Sequence, residues 1–483
     1  MFDAKRLRAE RIVWDPGSAE DLRILRDDVA RVAEDMDDPG RPPPMFWSGI
    51  PWPEPGPEPS CDYQLVVSLG GTKTDFALLR LEAGRVLGLD VLSGREVEGP
   101  EEIDRVKSAT QMPTPAYGPQ TPTGQAMVRR IVENLAPHVE SRREAFERCE
   151  AIYLSWGFPH KVIRTGDKIA GGLSARVTKM TKDQAGFTES LLGCEIGGLF
   201  AGELERQTGW SRPVAVANDT VMALHYFLAP SRRKGHASAG LFIVGTGTNF
   251  SAAEPYAIRP EGYVSRPGED YVPDRITAKR ALRKGETEAR FFVNYEAGST
   301  ELVATKTRFD VEVDYPIERN ALAGGNAFSQ QLRSYVETFV SKSAYEKLLE
   351  NWRRASGDPE SLPAGPAISR LVAGDAAQLL DGLASEEEAI GAVAQAIAER
   401  SALHAAIVLA AVTLRTGFGR GDGKRADLLG MEGSVWKTPG YPERVRAWWT
   451  LLSGGRPLAV EFAAEPSYNA SLPGPLYLAA IHR

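Results

Sequence analysis

The sequence predicts an α/β protein with a duplicated core, two units of strand, Gly/Thr turn and strand, each followed by helices. Three observations carry this. The apolar runs Leu65-Val66-Val67 and Gly240–Val244 each lead into a turn of one type, Leu69-Gly70-Gly71-Thr72-Lys73-Thr74 and Val244-Gly245-Thr246-Gly247-Thr248-Asn249. Between them, Val214-Ala215-Val216-Ala217 delivers Asn218-Asp219-Thr220-Val221, a carboxylate at the end of an apolar run. At 483 residues the chain is too long for one core, which implies two domains with a cleft between them.

Each element follows from its own pattern. Leu22, Leu25, Val29 and Val32 recur at helical spacing, so residues 19–36 form an amphipathic helix. From Pro39 to Pro59 nine prolines alternate with Met45, Phe46, Trp47 and Trp52, the pattern of a segment pinned along the surface. Tyr63–Leu69, Phe76–Leu79 and Val86–Leu92 read as strands, and Gln125–Glu147 reads as helix. Ala151-Ile152-Tyr153-Leu154 is an apolar run ending in Trp156-Gly157-Phe158-Pro159. The second half repeats the plan with strands at Gly240–Val244 and Phe292–Tyr295, then helices at Ala327–Val340, Glu386–Leu414 and Glu443–Leu452. Strand-like residues also lie within Ala426–Val435.

Composition narrows the classes. A net charge of −7 argues against a nucleic-acid partner. The longest apolar stretch, Ala402–Leu414, is interrupted by His404 and Thr413 and is shorter than the ~20 residues of a membrane span. Met1-Phe2-Asp3-Ala4-Lys5-Arg6 has no apolar signal core, so a cytoplasmic location is expected. Cys61, Cys149 and Cys194 show no CxxC spacing, which disfavours both a disulfide framework and a zinc site.

The two turns suit phosphate, because their backbone N–H groups and hydroxyls are donors to phosphate oxygens. Neither matches GxxxxGK[ST] or a helix-opening GxGxxG, so a nucleotide site here is of another kind. A plain hairpin turn fits Gly70-Gly71-Thr72 as well. Two readings also fit Asp219: a ligand-facing carboxylate at a strand's C-terminal end, or the N-cap of the helix starting at Val221-Met222-Ala223-Leu224. Glu296 fits a solvated strand end, and Thr178-Lys179 and Thr181-Lys182 fit an exposed basic loop.

Taken in order, Leu-Gly-Gly-Thr (69–72), Gly-Phe-Pro (157–159), Thr-Lys (178–179), Asn-Asp-Thr-Val (218–221), Gly-Thr-Gly-Thr-Asn (245–249), Val-Asn-Tyr-Glu (293–296) and Glu-Gly-Ser-Val-Trp-Lys (432–437) resemble the hexokinase family over nearly the whole chain. The resemblance implies two actin-like (ribonuclease H-like) lobes with duplicated mixed-sheet cores, closing on sugar and ATP. It implies a small lobe of residues 61–216 plus 464–483, a large lobe of residues 217–463, and an N-terminal segment, 1–60, packed on them. Asp219 would be the general base for the sugar hydroxyl, with Lys179 neutralising developing charge. Ser155, Gly157, Thr178, Lys179, Asn218, Asn249 and Glu296 would complete the sugar site. ATP phosphates would lie between Gly70, Gly71, Thr72 and Lys73 on one side and Gly245, Thr246, Gly247 and Thr248 on the other, with Gly433 and Ser434 near the nucleoside. Mg²⁺ would arrive mainly with ATP. The implied activity is phosphorylation of a hexose, glucose foremost, at its 6-hydroxyl, by a monomer or homodimer.

The chain departs from the family at three places. The aspartate that precedes Leu-Gly-Gly-Thr in the family is Ser68 here. In a hairpin centred on Gly71-Thr72, Ser68 faces Asp75 across the strands, which makes Asp75 the candidate carboxylate for the Mg²⁺ region. The family's serine two residues before the proline is Gly157, with Ser155 close by. The family's second sugar-binding glutamate falls at Arg333, with Glu337 one helical turn on. A positive charge there points to an anionic sugar derivative as the alternative substrate. Ser68 points to a second alternative, a catalytically weak sugar or nucleotide sensor.

Overall fold

The computed structural model describes residues 4–37, 46–51, 63–69, 73–82, 85–91, 95–97, 112–113, 124–157, 160–164, 169–178, 191–228, 235–245, 247–264, 271–272, 275–295, 297, 302–310, 325–467, 470–471 and 474–481. The chain divides into two compact units. A sheet unit comprises Met45–Leu241, Ser251–Asn294 and Ser467–Arg483, and a helical unit comprises Met1–Pro44, Phe242–Phe250 and Tyr295–Pro466. The expected boundary at residue 216 is therefore not where the units part. Residues 217–241 and 251–294 belong with the sheet unit: helix Asp219–Phe227 packs against strands Cys149–Trp156, Val214–Asn218 and Glu288–Asn294, and the last of these pairs with Phe46–Pro51.

Strands of the sheet unit are, in chain order, β1 (Phe46–Pro51), β2 (Tyr63–Leu69), β3 (Lys73–Glu82), β4 (Arg85–Val91), β5 (Arg95–Val97) and β6 (Met112–Pro113). They continue with β7 (Cys149–Trp156), β8 (His160–Arg164), β9 (Leu173–Val177) and β10 (Val214–Asn218). The main sheet has the order β10-β7-β2-β3-β4-β5, with β6 on β3. β2 and β3 form an antiparallel hairpin, while β7 runs parallel to β2 and β10 parallel to β7. β8 and β9 form a separate two-stranded hairpin.

Period-2 alternation sends Leu65, Val67, Leu69, Phe76, Leu78, Ile152, Leu154, Trp156, Val214 and Val216 to one face. Helix Gly124–Ser141 covers that face with Met127, Val128, Ile131, Val132, Leu135 and Val139, an i, i+4 stripe. Helix Ile196–Thr208 adds Ile196, Phe200 and Leu204. The expected single helix over 125–147 is in fact two, Gly124–Ser141 and Arg143–Glu147.

Helix Asp219–Phe227 packs on β7 and β10 and against helix Gly474–Ile481. A Cβ at Gly474 would collide with the Met222 carbonyl, so a glycine is what allows this close approach.

β11 (Ala239–Val244) and β12 (Thr248–Arg259) follow, then β13 (Gly262–Val264), β14 (Tyr271–Val272) and β15 (Glu288–Asn294). β12 pairs antiparallel with β15 from Ser251↔Asn294 to Ala257↔Glu288. β1 adds to the other side of β15, so part of the segment expected to lie pinned along the surface is a strand.

In the helical unit, β16 (Asp427–Glu432) neighbours β11 and pairs in parallel with β17 (Val460–Phe462). Helix Glu387–Thr416 is its pillar, contacted by helices Ala19–Asp37, Gly325–Phe339, Gly365–Ala373 and Tyr441–Leu452. By length and composition it would suffice to cross a bilayer, yet 89% of its apolar stretch is buried inside the protein. A helix apolar around its whole circumference belongs in an interior. Arg400 on this helix donates to the Tyr335 hydroxyl at 2.9 Å and to the Thr305 carbonyl at 2.7 Å. Ser401 lies 2.8 Å from the Tyr441 hydroxyl, whose titration burial pushes upward.

His225 is fully buried in the sheet unit, with Nδ1 at 2.8 Å from the Val221 carbonyl. Burial drives its pKa from 6.5 down to about 4. Between those values the unfolded chain binds a proton here and the folded chain does not, so stability falls as pH falls through that window. The shift corresponds to roughly 3 kcal/mol. Urea midpoints at pH 7 and pH 5 should therefore separate widely in the wild type, and His225→Leu should narrow the gap.

Candidate active site

The end of β10 sets the first part of the site. Asn218 closes the strand with extended backbone, and its Oδ1 accepts from the Thr220 N–H at 2.9 Å. Its Nδ2 donates to the Trp156 carbonyl of β7 at 3.4 Å. Asn218, not Asp219, is therefore the N-cap. Asp219 is the first helical residue, half-buried, with Oδ1 accepting from the Thr220 N–H at 2.8 Å and from the Thr220 hydroxyl at 3.3 Å.

Next to it run the ends of β7 and β2. Gly157 donates its N–H to the Leu69 carbonyl at 2.9 Å, bringing the strand exit of β7 alongside that of β2. Ser68 pairs in register with Asp75 on one side and Ser155 on the other, as the hairpin geometry predicts for Asp75. All three side chains are buried. The Ser68 and Ser471 hydroxyls are 3.0 Å apart, and the Ser155 hydroxyl has no partner among the described residues. Gly70, Gly71 and Thr72 lie outside the described residues, as do Lys179, Thr181 and Lys182; Lys73 opens β3, and Thr178 is exposed directly after β9.

The second Gly/Thr turn belongs to the helical unit. Gly245 donates to the Gly247 carbonyl at 2.9 Å, and Thr248 is buried with its hydroxyl unpartnered among the described residues. Thr246 lies outside the described residues. Gly433 sits against this turn with φ +107°, and a Cβ there would strike the Val244 carbonyl and lie 2.8 Å from the Gly245 nitrogen. Ser434 follows, exposed, opening a short 3-10 helix whose Trp436 donates to the Phe242 carbonyl at 2.9 Å. Gly245 thus bonds Gly247 within the turn and has Gly433 packed against it.

Asn249 has a role beyond the expected one. Its Oδ1 accepts from Phe250 N–H at 2.8 Å and from Ala297 N–H at 3.2 Å, while Tyr295 N–H donates to the Phe250 carbonyl at 2.9 Å. These bonds fasten the residues flanking position 296; Glu296 itself lies outside the described residues. Arg333 pairs with Glu337 at 3.1 Å on the surface of helix Gly325–Phe339, so its charge is balanced one turn away. Thr220, Ser471 and Gly365 were not singled out from sequence. Gly365 lies near Ser434, since a Cβ on it would be 3.9 Å from the Ser434 hydroxyl.

The sheet unit thus has a held carboxylate at a strand end, and the helical unit, by itself, a Gly/Thr turn with Gly433 packed against it. A side chain at 433 would push Ser434 away from that turn. Gly433→Ala should lower the unfolding free energy by about 2–4 kcal/mol, read from urea titration; an unchanged midpoint would contradict the packing described.

The chain has the two-lobed, actin-like α/β fold of hexokinases. A hexokinase from Schistosoma mansoni, solved in complex with glucose, matches it with a TM-score of 0.59 at 18% identity, over 99% of this chain and 98% of that one. Another solved hexokinase matches with a TM-score of 0.60 at 16% identity, over 99% and 100% of the two chains. No protein-family model and no curated protein matches the sequence. Likeness at such identities establishes a fold; chemistry must be argued from the residues.

Proposed function

We propose that this protein is an ATP-dependent sugar kinase that phosphorylates a hexose at its 6-hydroxyl, with Asp219 as general base. The observation that carries the reading is the Asp219 carboxylate, held by Thr220 at the end of β10 in a chain of hexokinase fold. A sugar hydroxyl is a poor nucleophile, so a carboxylate within hydrogen-bond reach takes its proton as the oxygen attacks the terminal phosphorus. The bond from that phosphorus to the bridging oxygen breaks and ADP leaves. Such a transfer asks the protein mainly for positioning and charge neutralisation. In this reading Ser155, Gly157, Thr178, Asn218, Asn249 and Glu296 hold the sugar, and Lys179 neutralises charge. The turn Gly70–Lys73 and the turn Gly245–Thr248 take the phosphates, with Gly433 and Ser434 by the nucleoside.

Mg²⁺ takes oxygen ligands. The buried Asp75 carboxylate beside Ser68, with the unpartnered Ser155 hydroxyl next in register, is a donor set of that kind. Among the described residues no group of three or more His, Cys, Asp or Glu could hold an ion. In this reading the metal would enter with the nucleotide and supply neutralisation of the phosphates, with Asp75 as the candidate carboxylate toward it.

ADP release with ATP, Mg²⁺ and a panel of hexoses tests the reading. Turnover on a hexose is expected, and Asp219→Asn should reduce it by roughly 10²–10⁴-fold while sugar binding persists. Sugar binding without any turnover in the wild type would favour a sensor instead. Asp75→Asn should raise the Mg²⁺ concentration for half-maximal rate by about tenfold; an unchanged Mg²⁺ dependence would remove Asp75 from the site.

A further inference from the structure

We propose that Thr220 is a positioning residue for Asp219, an inference that rests on the general-base reading above. Thr220 is wholly buried and gives both of its donors to its surroundings at this carboxylate. Its N–H lies 2.8 Å from Asp219 Oδ1 and 2.9 Å from Asn218 Oδ1. Its hydroxyl lies 3.3 Å from the same Asp219 Oδ1. Its carbonyl accepts from the Ser251 hydroxyl at 3.2 Å, and Ser251 is itself wholly buried on β12, in register with Asn294. Thr220 is therefore fixed from behind by the β12 strand and grips one carboxylate oxygen from in front.

The chemistry of that grip is specific. Two donors on one oxygen restrict rotation of the carboxylate about its Cβ–Cγ bond. A general base works only when its lone pair lies within hydrogen-bond reach of the hydroxyl proton, so a freely rotating carboxylate loses rate. Hydrogen bonds to a charged acceptor are the strong kind. A threonine is also fitted to the place sterically, because its methyl fills the buried space while its hydroxyl turns to the carboxylate. Position 220 is thus a place where shape and donor can be separated by substitution.

Thr220→Val keeps the shape and removes the hydroxyl, and Thr220→Ser keeps the hydroxyl and removes the methyl. The measurement is sugar-dependent ADP release with kcat and KM determined separately, beside wild type and Asp219→Asn, with thermal unfolding of every variant. Thr220→Val is expected to lose about tenfold or more in kcat, with the sugar KM within about threefold and the fold retained. Thr220→Ser should recover most of that kcat, and Thr220→Val should add no further loss to Asp219→Asn. Wild-type kcat in Thr220→Val would overturn the inference, as would a Thr220→Ser variant as slow as Thr220→Val, which would make the methyl the contributor. Full activity in Asp219→Asn would instead overturn the general-base reading itself, a separate result.

Discussion

The register of three parallel strands governs the sheet unit. β2, β7 and β10 align so that Leu69 lies beside Trp156 and Trp156 beside Asn218. That level is where the polar work begins, with Gly157 on the Leu69 carbonyl and Asn218 on the Trp156 carbonyl. The register is held by the apolar face beneath it, where Leu65, Val67, Ile152, Leu154 and Val216 are all essentially without solvent exposure. A slip of one residue in any strand would move these side chains to the opposite face of the sheet and bring Ser68, Ser155 or Asp75 onto this one. The hydrophobic pattern thus fixes where the carboxylates and hydroxyls stand.

A different constraint orders the helical unit. Its turn at Gly245–Thr248 has little side-chain mass, so its shape comes from what lies against it. Gly433 approaches the Val244–Gly245 backbone as only a residue without a Cβ can, and Trp436 donates to the carbonyl of Phe242 earlier on the same strand. Phe250 packs among Phe242, Tyr295 and Phe418 in edge-on and tilted contacts, which anchors the strand leaving the turn. Asn249 then ties the Ala297 amide to that strand. The buried helix Glu387–Thr416 supplies the apolar volume against which helices Gly365–Ala373 and Tyr441–Leu452 of the same unit pack.

Much of this was legible in the sequence. The strands around both turns, the facing of Ser68 and Asp75, and the long helices follow from period-2 and period-3.6 patterns, because those patterns are what burial enforces. The cap at β10 was not decidable, since Asn218 and Asp219 are both good caps. A tertiary bond from Asn218 to the Trp156 carbonyl accompanies the choice of Asn218 as the cap. β1 was read as an irregular surface segment because prolines surround it, whereas β15 offers it a partner edge that no local pattern reveals. The compact units part elsewhere than at residue 216 because helix Asp219–Phe227 packs on β7 and β10 and β15 pairs with β1, contacts that no local pattern reveals. Thr220 stood in the sequence beside the candidate base, but that its N–H and hydroxyl both reach the Asp219 carboxylate is visible only in the structure.

The central claim is that a sugar hydroxyl, not water, receives the phosphoryl group. Phosphorus NMR of a reaction with ATP, Mg²⁺ and the best hexose, correlated to the sugar protons, tests it directly. The account predicts a phosphomonoester signal coupled to the two protons on carbon 6. Inorganic phosphate as the only product beside ADP, or coupling to a different carbon, would contradict it.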